Sequence, residues 1–220
     1  MNTHLLIYRF LTLASIVFLI SFQQISYAKG ESFSKESGSW LVGIKALNLN
    51  PSVKSTISIG GAASVDDDTI PELDVRYFLT DNISMETILG TTKHEVAATG
   101  TALGYVTLGT VKVLPPTLTL QYHVKGNGKF SPYFGAGINY TIFYDADPGA
   151  TVNVDYDDGF GFAFNVGFDY FLSEKNYLNV DIKKYILSTD VTVDAGAAGI
   201  ATADVDLDPI AISIGYGWLF

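Results

Sequence analysis

The chain has 220 residues, with 13 basic against 23 acidic side chains and a formal net charge of −10, so no basic surface is available to attract nucleic acid. It has no cysteine, which excludes both a disulfide framework and a thiolate metal site. Charged residues are only 16% of the chain while Gly, Tyr and Phe number 21, 13 and 14, a mixture that suits strands better than helices.

Residues 1–28 read as an export signal. Arg9 precedes an apolar run over 10–20, and Ser26-Tyr27-Ala28 places small residues at the outer positions of a cleavage site. The run is shorter than the roughly twenty residues that a membrane-crossing helix needs. Cutting after Ala28 leaves residues 29–220 as a single domain. It removes Arg9 and no acid, so the net charge moves from −10 to −11.

Eight strands follow in chain order. The first four span 40–49, 70–79, 83–92 and 115–124, and in the fourth Leu118, Leu120 and Tyr122 alternate with Thr117, Thr119 and Gln121. Pro115 and Pro116 lack the N–H that a ladder needs, so they belong at a strand end. In the fifth strand Phe134, Ala136, Ile138, Tyr140 and Ile142 face one way and Gly135, Gly137, Asn139 and Thr141 the other. The sixth, 160–170, sets Phe160, Phe162, Phe164, Val166, Phe168 and Tyr170 against Gly161, Ala163, Asn165, Gly167 and Asp169. The seventh sets Leu178, Val180 and Ile182 against Asn179, Asp181 and Lys183. The eighth, 210–220, alternates Ile210, Ile212, Ile214, Tyr216, Trp218 and Phe220 with small residues. A water-soluble sandwich pairs an apolar inner face with a charged outer one. Here the second face is small or polar, which suits the inside of a narrow transmembrane barrel.

Connection lengths support the same expectation, an all-β, eight-stranded antiparallel transmembrane barrel. Short turns at 80–82, 126–128 and 173–175 alternate with long segments at 50–69, 93–114, 145–158 and 188–208, which read as loops. Bacterial barrels keep short turns on the periplasmic side, so the long loops are expected outside the cell and both mature termini in the periplasm. Trp40, Tyr77, Phe78, Tyr122, Tyr133, Tyr170, Phe171, Tyr177, Tyr216 and Trp218 fall near the short-turn ends, where an interfacial aromatic girdle is expected.

Several stretches are similar to one known family. Leu114-Pro115-Pro116-Thr117-Leu118-Thr119-Leu120-Gln121-Tyr122 and Pro132-Tyr133-Phe134-Gly135-Ala136-Gly137-Ile138-Asn139-Tyr140-Thr141 resemble the outer-membrane protein W (OmpW) family. So do Leu79-Thr80-Asp81-Asn82-Ile83 and the ending from Asp208-Pro209-Ile210 to the terminal Phe220. The resemblance implies a narrow, largely apolar tunnel that passes small hydrophobic molecules into or across the outer membrane of a Gram-negative cell, in a family whose members also serve as phage or colicin receptors. The alternating large residues around Tyr216, Trp218 and Phe220 resemble the signal read by the barrel-assembly machinery.

Carrying the parity inward gives a polar layer of Lys45, Asp74, Arg76, Glu86, Gln121, His123, Asn165, Asp169, Asp181 and Lys183. Isolated charges in a water-poor lumen are costly, so these should pair with one another, either as filler or as a plug that blocks an aqueous pore. Toward the long loops the same parity collects Leu47, Leu49, Ile70, Ile88, Phe143 and Leu187, an apolar funnel from which solutes could leave sideways between strands into lipid. The alternative is an interaction barrel whose loops bind phage or host surfaces while the lumen passes nothing.

No cofactor is expected. The acids at Asp66-Asp67-Asp68, Asp145 and Asp147, Asp155, Asp157 and Asp158, and Asp204, Asp206 and Asp208 lack EF-hand spacing; they read as a solvated rim that could weakly bind divalent ions bridging lipopolysaccharide. His94, beside Glu95, reads as a surface histidine with no serine placed to be its nucleophile, so no enzymatic activity is expected. His123 reads as a hydrogen-bonded member of the polar layer and not as a metal ligand. The expected partners are outer-membrane lipid, lipopolysaccharide, small hydrophobic solutes and the assembly machinery.

Overall fold

The computed structural model describes residues 35–124 and 129–220. The expected export signal and the turn at 126–128 lie outside the described residues. The strands are β1 Trp40–Asn50, β2 Lys54–Ile57, β3 Ala62–Val65, β4 Asp68–Phe78, β5 Ile83–Leu89, β6 Thr92–Thr101, β7 Gly104–Leu114 and β8 Thr117–His123. They continue as β9 Phe130–Asp147, β10 Asn153–Tyr156, β11 Gly159–Phe171, β12 Asn176–Ile186, β13 Ser188–Asp194, β14 Ile200–Asp206 and β15 Ile210–Leu219.

Eight of them close a barrel in the order β1, β4, β5, β8, β9, β11, β12, β15 and back to β1, every pair antiparallel. Closure leaves no unpaired edge in the ring, the condition for crossing a bilayer with strands. The register follows the expected parity. On β11 and β15, Phe160, Phe162, Phe164, Ile212 and Ile214 lie exposed, whereas Ala163, Asp169, Ala211 and Ser213 are buried. Apolar outside and polar inside is the reverse of a soluble core, and it suits a lipid-facing wall.

The segments read as loops are mostly strand, which corrects the sequence reading. β9 runs past the barrel wall and pairs with β7, which pairs with β6 and then β3. β10, β13, β14 and β2 form a separate four-stranded sheet. Both sheets alternate: Val96 and Ala98 on β6, Val111 and Val113 on β7, and Val191 and Val193 on β13 turn inward. The Ala, Gly, Thr and Asp between them made the composition look loop-like. At Gly109 φ is +74°, and a Cβ there would stand 1.9 Å from the Asp147 carbonyl, so only glycine fits this point of β7, where its register against β6 shifts between Thr107 and Thr110.

Two further expectations are overturned. Ile142, expected to face out, is only 1% exposed, because β9 passes there from β8 to β7 as partner and both its faces become covered. Phe78, Tyr133, Phe171 and Tyr177, expected in an outer girdle, point inward and are buried. Phe78, Phe171 and Tyr177 pack with Leu41 into an aromatic floor at the short-turn end. Gly217 makes room for that floor, since a Cβ there would meet the Tyr177 ring at 2.3 Å. Tyr122, Tyr170, Tyr216 and Trp218 remain exposed on the outer face.

Candidate functional site

From the short-turn end upward, the interior has three levels: the aromatic floor, a charged layer and an apolar cavity. All ten residues assigned to the polar layer are buried, none more than 3% exposed. They join residues not assigned to that layer, namely Lys35, Glu72, Ser84, Thr119 and Asn179. Glu72 shares the parity of Asp74 and Arg76 on β4 and was open to detection. Lys35 precedes the first strand, where no periodic signal exists.

Asp169 is the hub. Arg76 Nη1 and Nη2 donate to its two oxygens at 2.8 and 3.0 Å, a bidentate pair. Lys35 Nζ donates at 2.5 Å and Asn179 Nδ2 at 2.8 Å. Arg76 Nε lies 3.2 Å from Asp74, whose same oxygen is 3.0 Å from Lys45 Nζ. Lys45 also sits 3.7 Å from Glu86 and 3.8 Å from Glu72. Glu86 accepts in turn from Lys183 Nζ at 2.8 Å and Thr119 Oγ1 at 2.7 Å. Asp181 accepts from Tyr133 Oη and Asn165 Nδ2, both at 2.8 Å.

His123 joins the layer through hydrogen bonds. Its Nδ1 is 2.8 Å from Lys35 Nζ, which has only protons to offer, so Nε2 carries the ring proton and donates to Ser84 Oγ at 2.8 Å. Ser84 donates onward to Gln121 Oε1 at 3.3 Å. The layer draws side chains from seven of the eight wall strands, β1, β4, β5, β8, β9, β11 and β12, and none of those named comes from β15.

Beyond it lies a cavity of about 300 Å³. Its walls come from both barrel strands and the outer sheets, chiefly Val96, Leu108, Val111, Val113, Phe143, Val191, Val193 and Val205. Of the six residues assigned to a funnel, Leu49, Phe143 and Leu187 line it. Leu47 and Ile70 instead pack beside it with Ala163, Tyr185 and Ala211. Ile88 is buried in the wall without reaching the cavity. Among the described residues, no Asp, Glu, Lys or Arg lines it.

His94 lines the cavity and is 3% exposed, which corrects its reading as a surface histidine. Its Nδ1 is 2.8 Å from the Asp66 carbonyl and its Nε2 2.9 Å from Thr92 Oγ1. The neighbouring acids are less free than a solvated rim would be. Asp66 accepts the Glu95 N–H at 2.6 Å and Asp68 the Lys93 N–H at 2.8 Å. Asp158 accepts the Phe143 N–H at 2.8 Å. These carboxylates stand in for missing strand carbonyls. Tyr156, on β10, stacks on Phe143 with ring centroids 5.5 Å apart and planes at 18°, and burial pushes its hydroxyl up to about 12.

The barrel wall is interrupted beside the cavity. Ile88 pairs with Thr117 and Thr92 with Val113, in one continuous register, but the residues between, Leu89, Gly90 and Thr91 opposite Leu114, Pro115 and Pro116, form no ladder. Two prolines remove the N–H groups that would close it. Pro115 also lines the cavity, so the cavity reaches this gap.

A closed eight-strand barrel with an apolar exterior, a filled charged layer and an apolar chamber defines an outer-membrane β-barrel protein. The chain belongs to the OmpW family, whose profile matches residues 36–220. It is 40% identical over 184 residues to the uncharacterized outer-membrane protein y4mB of Sinorhizobium fredii, covering 82% of this chain and 80% of that one. It is 34% identical to outer membrane protein W of Vibrio cholerae, covering 86% and 91%. It is 33% identical to the dibenzothiophene metabolism operon protein PahQ of Pseudomonas aeruginosa, covering 73% and 76%. Among solved structures, outer membrane protein OprG of Pseudomonas aeruginosa superposes with a TM-score of 0.81 at 29% identity, covering 86% of this chain and 99% of that one. The protein is thus an outer-membrane barrel.

Proposed function

We propose that the protein is a non-enzymatic conduit that takes small hydrophobic molecules into its apolar cavity and releases them sideways through the wall gap into the membrane. The observation that carries this reading is the continuity of an uncharged cavity with an unpaired stretch of wall at Pro115, above a layer of buried ion pairs. Water-soluble ions gain nothing from such a chamber, whereas an apolar solute exchanges water for Val, Leu and Phe side chains at about 25 cal/mol per Å². The kinship with a dibenzothiophene metabolism operon protein agrees with an apolar aromatic cargo. In this reading the long-loop end faces the exterior, where it meets lipopolysaccharide. Both termini lie in the periplasm, and the last strand with Tyr216, Trp218 and Phe220 addresses the assembly machinery.

Phe143→Asp tests the proposal. A carboxylate at that position would sit in a dry chamber already flanked by Asp158, and naphthalene uptake by cells carrying the variant is expected to fall at least about tenfold. Heat-modifiable migration of the extracted barrel on a gel shows whether the variant has folded. Unchanged uptake by a folded Phe143→Asp barrel would rule out the cavity as the route.

A further inference from the structure

We propose that the wall gap is a gate closed by a hydroxyl latch, running from Tyr144 Oη to Thr91 Oγ1 to the Val113 carbonyl, and that breaking this latch sets the rate at which solutes leave the cavity. This rests on the reading that solutes exit sideways through the gap, and it names what holds that exit shut.

The proline edge of the gap asks nothing of the strand opposite. Pro115 and Pro116 have no N–H to place. The Pro115 carbonyl accepts from Thr117 Oγ1 at 2.8 Å, and the Pro116 carbonyl accepts from the Tyr140 N–H at 3.1 Å. Leu114 pairs with Ile142 on β9, so this edge is held by the strand behind it. Parting it from Leu89, Gly90 and Thr91 breaks no ladder bond and strands neither proline carbonyl, which is what opening a strand wall in lipid requires.

A side chain ties the two edges where the ladder does not. Thr91 Oγ1 donates to the Val113 carbonyl at 3.2 Å. A threonine hydroxyl has one proton, so Tyr144 is the donor in the 2.6 Å contact between the Tyr144 and Thr91 hydroxyls. Tyr144 lies on β9, opposite Lys112 of β7, and its hydroxyl reaches past β7 to Thr91. Lys112 steadies it, with Nζ 6.0 Å from the centre of the Tyr144 ring and 2.6 Å from Asp145. Neither Thr91 nor Tyr144 lines the cavity, so the latch can be removed without changing the surface that receives the solute.

The test compares the initial rate of naphthalene uptake by cells carrying the wild type, Thr91→Val, Tyr144→Phe or the double variant, with folding of each barrel checked by its heat-modifiable migration. Thr91→Val keeps the side-chain shape, removes the whole chain of bonds and is expected to raise the rate about three- to tenfold. Tyr144→Phe removes one bond and should raise it less. The double variant should be no faster than Thr91→Val, because both residues act through one chain. Thr91→Ser keeps the hydroxyl and should keep the wild-type rate. Should Thr91→Val not fold, Tyr144→Phe carries the test alone. Folded variants no faster than the wild type would overturn the latch while leaving the conduit standing. Wild-type uptake no faster than that of cells lacking the barrel would overturn both.

Discussion

Replacing Asp169 by Ala is expected to destabilise the barrel by about 3–5 kcal/mol, the usual cost of stranding buried charge by removing one partner. The side chain is fully buried and accepts from Arg76, Lys35 and Asn179, so its loss leaves a guanidinium and an ammonium facing each other inside the wall. Asp74 remains to hold Arg76 through Nε but is already shared with Lys45. Asp169→Asn keeps acceptor capacity and should cost less. A triple change of Asp169→Leu, Arg76→Met and Lys35→Met, which removes the charges together, should recover much of the loss. The urea midpoint for unfolding from lipid vesicles measures all three. An Asp169→Ala midpoint equal to wild type would mean that the ion pairs do not hold the layer.

The second large effect is expected from locking the wall. The chain has no cysteine, so a pair introduced at Gly90 and Pro115, opposite each other in the register across the gap, would form the only disulfide possible. Oxidation should bring naphthalene uptake close to background and a reductant should restore it. The reductant arm separates the cross-link from the substitutions themselves, since Pro115→Cys also returns an N–H to the strand. Equal uptake by oxidised and reduced forms would exclude this gap as the exit.

The inward and outward faces of 134–141, 160–170, 178–183 and 210–220 were legible because a narrow lumen and a lipid wall demand opposite chemistries at alternate positions. The same rule found the ten members of the polar layer and passed over Glu72 only by omission. The cavity was less legible. Much of its lining comes from β6, β7, β13 and β14, whose short valine alternations are interrupted by Ala, Gly and Thr, and the register of β7 against β6 slips beside Gly109. Aromatics at strand ends carry no sign of direction. Tyr177 turns inward because Gly217 on the neighbouring strand leaves it space, a fact of cross-strand register that one strand's sequence does not contain. Lys35 enters the barrel from outside any strand, and burial of Tyr156 depends on a sheet that composition concealed.

The claim on which the rest depends is that apolar solutes occupy the chamber above the charged layer and go no deeper. Crystals grown from lipid and soaked with 2-bromonaphthalene locate the bromine directly by anomalous scattering. The expected peak lies among Val96, Val111, Phe143 and Val191; a peak inside the network around Asp169, or none in the chamber, would contradict the claim.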